Sequence, residues 1–406
     1  MTLEDIPVRQ QGRPAVVPVG VGGPGRATVL LDDFAAVGDQ WGDLLARDSA
    51  ATFFSSLEWL SCWWAAHGDD QRLLIAALLD GDRLVAVAPL MSRREHGIPV
   101  VRFVGTGDSD YGGIVVDDAV SRPDAVFALL DRVRTALPLA VFDLREVSDA
   151  DPLLAILGAW SRARAGGVRT VVSSACPYIP LPADVRAHDA ELGGAARQQE
   201  RRRLRRLGEL GTVEISDDLA HGGGVEQLMD EFGAVEDSHP RADERGNRWT
   251  DGRRAFLGAV LHASTATGTG TGTGRVWLQG IRVDSRLIAY SVAFRQGATL
   301  YSYVHGFHGD YSRHSPGRLL HLHIRRSAIA EGITRFDLLR GAEPYKLLLT
   351  DRQWVNSRVL LWPRPLGPAR LRVLTGVWRL TAYDELRRVP VLRWCKEHLA
   401  LLPGRR

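Results

Sequence analysis

Lysine is almost missing from this chain. Of 51 basic residues only Lys346 and Lys396 are lysines, a bias of composition that makes each lysine worth examining. Cysteine is nearly as rare: Cys62, Cys176 and Cys395 lie far apart, odd in number and without a CxxC pair. That argues against a disulfide framework and a zinc site and fits a reducing compartment, so no metal is expected. No apolar run approaches the roughly 20 residues that cross a bilayer. The opening "MTLEDIPVRQQGRP" carries acids and a proline where a secretory signal needs basic and then apolar residues. A soluble cytoplasmic protein is the expectation. An excess of one charge is lacking as well: the net charge of +3 calls for no nucleic-acid partner by itself, and DNA is not expected. There is also no Ser-His-Asp spacing and no G-x-S-x-G elbow, which disfavours a covalent serine intermediate.

What is present is an ordinary globular composition, 45% hydrophobic and 24% charged over 406 residues, enough for two domains of roughly 100–200 residues. Residues 1–27, rich in Gly, Pro and Val, read as a flexible lead-in. The stretch "TFFSSLEWLSCWWAAHG" then places Phe54, Trp59, Trp63 and Trp64 at helical spacing, with Ser55 or Ser56 as its cap, and reads as a core helix. "RLLIAALLDGDRLVAVAPLMSRR" predicts two strands joined at Asp80-Gly81-Asp82, and "VVRFVGTGDSDYGGIVV" a further strand and a polar loop. A helix near 122–136, the strand "LAVFDLRE" and a helix near 152–165 complete a first α/β unit.

A second unit repeats the first. "GRVWLQGIRVDSRLIAYSVAFRQGATLYSYVHGF" again predicts strand, turn, strand, turn, strand. "DRLVAVAPL" (Asp82 to Leu90) aligns with "SRLIAYSVAF" (Ser285 to Phe294), and "VFDLREVSDADPL" (Val141 to Leu153) with "RFDLLRGAEPYKL" (Arg335 to Leu347). Both matches fall about two hundred residues apart and in the same order, which points to a duplicated α/β unit. The expected fold is tandem: two domains over 28–180 and 181–362, each a mixed, mostly antiparallel sheet flanked by helices. A basic helical tail, 363–406, follows; its amphipathic "RPLGPARLRVLTGVWRL" is expected to cover the second domain or to touch an anionic membrane surface.

The copies differ at one junction. After its third strand the second unit has "DYSRHSPGRLL", where Ser315 can cap a helix, Pro316 suits its first position and the helix runs on through Leu319, Leu320 and Ile324. A helix start also has free N–H groups and a partial positive charge, so it can hold phosphate. Gly317 lets a phosphate approach the backbone, and Arg313 and Arg318 add charge. The basic helix "RQQERRRLRRLGELG" (Arg197 to Gly211) reads either as a solvated face or as a surface that meets phosphates. The Gly/Thr-rich stretch from Thr265 to Arg275 lacks the GxGxxG spacing and reads as a flexible connection.

With those residues in view, the chain resembles the GNAT-superfamily acetyltransferases of the cellulose-biosynthesis CelD type. The resemblance rests on "RRLRRLGELG" (Arg202 to Gly211), "LIAY" (Leu287 to Tyr290), "LYSYVHGFHGDYSRHSPGRLL" (Leu300 to Leu320) and "GITRFDLLRGAEPYK" (Gly332 to Lys346). In the first half it extends to "FFSSLEWLSCWW", "DGDRLVAVAPL" and "VRFVGTGDSDYGG", so that it spans roughly residues 50–355. It implies a tandem GNAT fold and acyl-CoA, most simply acetyl-CoA, as co-substrate in the second domain. The pyrophosphate is then expected on Ser315, Pro316, Gly317 and Arg318, with Arg313 beside them. More distantly the chain resembles the Fem-type transferases of peptidoglycan assembly, which are tandem GNAT proteins that take an aminoacyl group from tRNA.

Acyl transfer to an amine needs a neutral amine, a polarised carbonyl and aligned partners. The candidates for this work are His305, Asp337 and Lys346. His305 ends the aromatic strand, and imidazole titrates near neutrality. Glu343 is a further candidate base, and Lys346 offers a compact ammonium for a phosphate or an oxyanion. The acceptor, an amine of a small molecule, a sugar or a natural-product intermediate, is expected between the domains. Asp110, Tyr111, Glu236, His239, Trp249, Arg340 and Tyr345 are its candidate contacts. The expected activity is N-acyl transfer; the alternatives are aminoacyl-tRNA-dependent transfer and a non-enzymatic GNAT-like accessory protein.

Overall fold

The computed structural model of the protein describes residues 25–220, 224–238, 251–266, 275–341 and 343–388. The first half begins with an antiparallel meander, β1 (Arg26–Leu31), β2 (Arg72–Asp80), β3 (Arg83–Glu95) and β4 (Ile98–Phe103), with the short β5 (Val115–Val116) beside β3. Helix α3 (Arg122–Ala136) then carries the chain over to β6 (Val141–Ser148), which lies parallel to β4. The second half repeats this order. β8 (Val213–Ser216), β9 (Val276–Val283), β10 (Arg286–Gln296) and β11 (Thr299–Phe307) form the meander, α8 (Pro316–Ala330) the crossover, and β12 (Arg335–Asp337) the parallel partner of β11. The duplication read from the two aligned segments is thus a duplication of topology.

The two halves share one 13-stranded sheet, in the order β1-β2-β3-β4-β6-β13-β7-β12-β11-β10-β9-β8, with β5 off the path. Its centre is an exchange. β7 (Gly167–Pro180) belongs to the first half, yet its end pairs with β12, Ile179 opposite Phe336. β13 (Gln353–Trp362) follows the second half in sequence, yet it fits between β6 and β7. The ladders therefore run across the 180/181 boundary expected from the sequence.

Local sequence explains the layers. β2 is a continuous apolar run because both of its faces are covered. Leu73, Ile75 and Ala77 enter one core; Leu74, Ala76 and Leu78 enter another, beneath α3 and α4 (Leu153–Ala163). The turn after β2 has Gly81 at φ 60°, the left-handed backbone that glycine adopts without a steric cost. Ser56 caps α2 (Leu57–His67) by accepting from Trp59 N, while Phe53 and Phe54 precede the helix in a 3-10 turn. This aromatic cluster joins the halves: the Phe53 ring stacks on Phe294 of β10 at 4.2 Å, and Trp59 meets Phe256 of α7 (Asp251–Ala266) edge-on at 4.9 Å. Such pairs contribute about 0.5–1.5 kcal/mol each beyond area burial.

Two features depart from the expectations. The basic helix is longer than Arg197 to Gly211: α5 spans Val185–Gly208, with a break at Gly193 (φ 73°, ψ 164°). The tail helix α10 (Pro368–Arg388) packs, among the described residues, on the first half's strands and on β13, through Val373, Val377 and Leu380 against Ile98, Val100, Val141 and Leu360. The reason is β13, which delivers the chain to the first half's side of the sheet before α10 begins.

Candidate functional site

The parallel β11–β12 ladder is short. It ends at the Tyr301–Asp337 pair, while β11 runs on to Phe307 without that partner. Beyond Phe307 comes a 3-10 turn over Gly309–His314, then Ser315 and α8. Pro316 takes the first helical position, as read from the sequence. Ser315 holds the cap position, but in left-handed backbone (φ 52°, ψ 52°), and its side chain makes no capping bond. The expected hydroxyl cap is corrected here: a capping side chain needs extended backbone at that residue. The Ser315 carbonyl instead accepts from the Arg318 and Leu319 N–H groups at 3.1 and 3.3 Å. A non-glycine residue so placed costs about 1–3 kcal/mol, a strain that the surrounding turn must hold. At Gly317 a Cβ would lie 3.4 Å from Phe307 Cδ1, an ordinary contact, so the position has room for a side chain.

Helix α5 lies against this turn. Arg326 of α8 clamps it, bonding Asp189 at 2.9 Å and Glu200 at 2.5 Å on either side of the Gly193 break. Those acids are thereby engaged, and the arginines one turn further along face a cavity of about 500 Å³. It is lined by Arg202, Arg203, Arg206 and Glu209 from the helix side and by Arg313 and His314 from the turn. Among the described residues, no carboxylate lies within ion-pair distance of these four arginines or of Arg318. Burial and the neighbouring Arg318 together lower the Arg203 guanidinium from its ordinary pKa. His314 Nδ1 is buried without a hydrogen-bond partner. Clustered arginines beside an orphaned ring nitrogen form a ready site for an anion.

At the far end of β11, His305 is exposed, and its Nε2 lies 3.1 Å from Tyr345 Oη. Tyr345 comes from the one-turn helix α9 (Pro344–Leu347), which follows β12. Glu236, on the last turn of α6 (Val225–Asp237), accepts from Tyr290 Oη at 3.0 Å and borders Gly306, next to His305. His321, one turn into α8, is held well below its ordinary pKa by burial and by the charges of Arg325, His305 and Arg318. It was not among the residues singled out from sequence, since a histidine inside an amphipathic helix carries no local signal.

Lys346 points inward. Its ammonium donates to the carbonyls of Arg340 (2.7 Å) and Leu339 (3.4 Å) and pairs with Glu343 at 3.0 Å. It ties down a loop in which Leu339 has φ 60° and Gly341 φ 115°.

Asp110, Tyr111, Arg340 and Asp337 come together between the halves. Tyr111 Oη donates to Asp337 at 2.9 Å, and Arg340 bonds Asp110 at 2.5 Å and the Gly107 carbonyl at 3.0 Å. Glu146 and Asn356, which the sequence did not mark, complete this cluster at 3.4 Å from Arg340 and 2.8 Å from the Asp110 carbonyl. Asp337 is buried, and burial pushes its carboxyl up to about 7, against the hydrogen bonds from Leu339 N and Tyr111. Its counterpart in the repeat, Asp143, is equally buried, but hydrogen bonds and charges from Arg358, Arg145 and Arg102 overcome burial and bring it to about 2. His239 and Trp249 lie outside the described residues. Among the described residues no three His, Cys, Asp or Glu side chains converge as a metal site.

Comparison with known proteins follows this geometry. Residues 194–347 match the acetyltransferase (GNAT) domain family. No curated protein sequence is significantly similar to the chain. Among solved structures, a conserved protein of unknown function from Bacteroides thetaiotaomicron aligns at 13% identity and a TM-score of 0.55, over 82% of this chain and 99% of that one. FemX aligns at 12% identity and a TM-score of 0.55, over 80% and 95%. A tandem GNAT protein from the clavulanic acid biosynthesis pathway aligns more loosely, at 14% identity and a TM-score of 0.45, over 84% and 99%. The chain is a mixed α/β fold, a mostly antiparallel sheet flanked by helices, and its residues 194–347 match the acetyltransferase (GNAT) domain family.

Proposed function

We propose that the protein is an N-acyltransferase that moves an acyl group, most simply acetyl, from acyl-CoA to an amine by direct transfer. The observation that carries this is the arginine-lined cavity beside the Ser315-Pro316-Gly317 helix start. The residues there suit a phosphorylated donor: the positive end of α8 beside the cavity, four arginines in its lining against the one carboxylate of Glu209, and an unpartnered imidazole nitrogen. Acyl-CoA supplies the activated thioester. The chain's own residues do the rest. The helix start and Arg313 hold the diphosphate, and the gap beyond the Tyr301–Asp337 pair receives the acyl end alongside β11. As the C–N bond forms and the thioester C–S bond breaks, His305 takes the proton of the attacking amine at Nε2, and the Tyr345 hydroxyl hydrogen-bonded to it relays that proton to the leaving thiolate, which departs as the free thiol. Lys346 positions the Arg340 loop, and Arg340 with Asp110 lines the acceptor side. This reading extends the likeness to CelD-type proteins, and it places the reaction where no membrane crossing is needed.

A second reading, an aminoacyl group delivered on tRNA, is favoured by the exposed Arg201, Arg202, Arg205 and Arg206 on α5, which could follow an RNA backbone. The two readings separate in one assay. Incubation with acetyl-CoA and a panel of primary amines should release free thiol only when an amine is present. Thiol release no faster than in buffer, together with product from charged tRNA, would select the second reading.

A further inference from the structure

The outer side of α10 takes no part in the reading above, and it is built unlike a solvated helix face. Its inner side is fixed against the sheet through Val373, Val377 and Leu380. Gly376 sets how close the helix comes, because a Cβ there would lie 2.3 Å from Ile98 Cδ1. With the inner side fixed, the opposite side must face outward. It presents Leu371 at 68% exposure, Leu374 at 43% and Trp378 at 67%, preceded by Leu366 at 90%. Residues 371, 374 and 378 are spaced by three and four, so they form one stripe. Arg372 and Arg379 border it on one side and Arg370 on the other, all exposed. From 363 to 382 the sequence holds Arg364, Arg370, Arg372 and Arg379 and no Asp or Glu.

We infer that this face docks on an anionic lipid surface. An apolar stripe that ends in a tryptophan and is edged by arginine matches the boundary between acyl chains and charged headgroups. The charge is complementary to an acidic leaflet, where each basic residue near the surface strengthens binding roughly five-fold. The helix lies on the surface and does not enter: no helix among the described residues is long and apolar enough to cross a membrane. A second copy of the chain fits this face poorly. A two-fold self-contact of the described stripe would bring arginine against arginine, and four partly exposed side chains make a patch well short of the roughly 800 Å² per partner of a stable dimer.

The test is co-sedimentation of the full chain with vesicles of phosphatidylcholine alone and of phosphatidylcholine mixed with phosphatidylglycerol. Binding should be at least tenfold tighter to the mixed vesicles and should weaken with added salt. Leu371→Ser/Trp378→Ser should lose it through the stripe, and Arg370→Gln/Arg372→Gln/Arg379→Gln through the charge. Both variants change outward-facing side chains, so their thermal midpoints should match that of the parent. Equal affinity for the two vesicle types, no binding to either, or binding unchanged in both variants would overturn the inference. So would a concentration-dependent dimer that Trp378→Ser dissolves.

Discussion

The Tyr111 hydroxyl donates to the Asp337 carboxyl at 2.9 Å, across 226 positions of sequence and across the two halves of the sheet. Asp337 ends the parallel pair from which β11 diverges, so this bond fixes the first half's polar loop against the gap assigned to the acyl group. Replacing Tyr111 by Phe removes a donor from a buried carboxyl. We expect a loss of about 1–3 kcal/mol of stability, read as a lower denaturant midpoint with an unchanged slope.

The same carboxyl makes stability depend on pH in a defined direction. Its folded-state value is raised to about 7 from 3.8, so over that interval the folded chain holds a proton that the unfolded chain has lost. The contribution is fully present below pH 3.8 and is lost as pH rises through about 7. Asp337→Asn should therefore flatten the stability profile between about pH 4 and 7, with a change of up to about 4 kcal/mol across it. Urea midpoints of both proteins across that range check the sign.

Asp143 occupies the same place in the first copy, and its behaviour should be opposite. Its carboxylate is held at about 2 by Arg358, Arg145 and Arg102, so its contribution is present above the unfolded value and lost only as pH falls toward 2. Asp143→Ala leaves three guanidinium groups without their shared anion and should cost about 3–5 kcal/mol near neutrality. Donor affinity of the folded variant should stay unchanged.

Arg203→Ala/Arg206→Ala removes two cations from the cavity wall, one of them crowded by Arg318. We expect donor binding to weaken at least tenfold while the thermal midpoint holds or rises slightly. Titration and thermal melts of the same preparation read the two effects separately.

His305→Ala should lower kcat by about 10²–10⁴-fold, the range for losing a general base, with little change in donor affinity. Tyr345→Phe should lower kcat less and shift the pH profile, because His305 then loses its hydroxyl partner. A fall in donor affinity as large as the fall in kcat would reassign His305 to binding.

Much of this was legible in the chain. The hairpins, α3 at 122–136, the core role of "FFSSLEWLSCWW" and the pairing of Asp143 with Asp337 follow from periodicity and self-similarity, which are local properties. The strand exchange was not. β7 reads "GVRTVVSSACPYIP", polar and partly exposed along much of its length, and nothing nearby says that β13 will arrive beside it. The anion cavity was half visible: the helix of arginines and the Ser-Pro-Gly turn were both marked, but their meeting depends on Arg326 clamping α5 to α8. The scarcity of lysine drew attention to Lys346, yet scarcity could not tell an ammonium that faces a ligand from one committed to buried carbonyls.

The central claim is that the start of α8 holds the phosphates of an acyl-CoA donor. Its most direct test is calorimetric titration of acetyl-CoA into the parent protein and into Gly317→Asp. A carboxylate in the first turn favours the helix itself, and the space beside Phe307 Cδ1 admits a Cβ at 3.4 Å, so the variant should fold. The account predicts saturable binding to the parent and none to the variant at equal thermal stability. Equal affinity in the two proteins, or no binding to the parent, would contradict it.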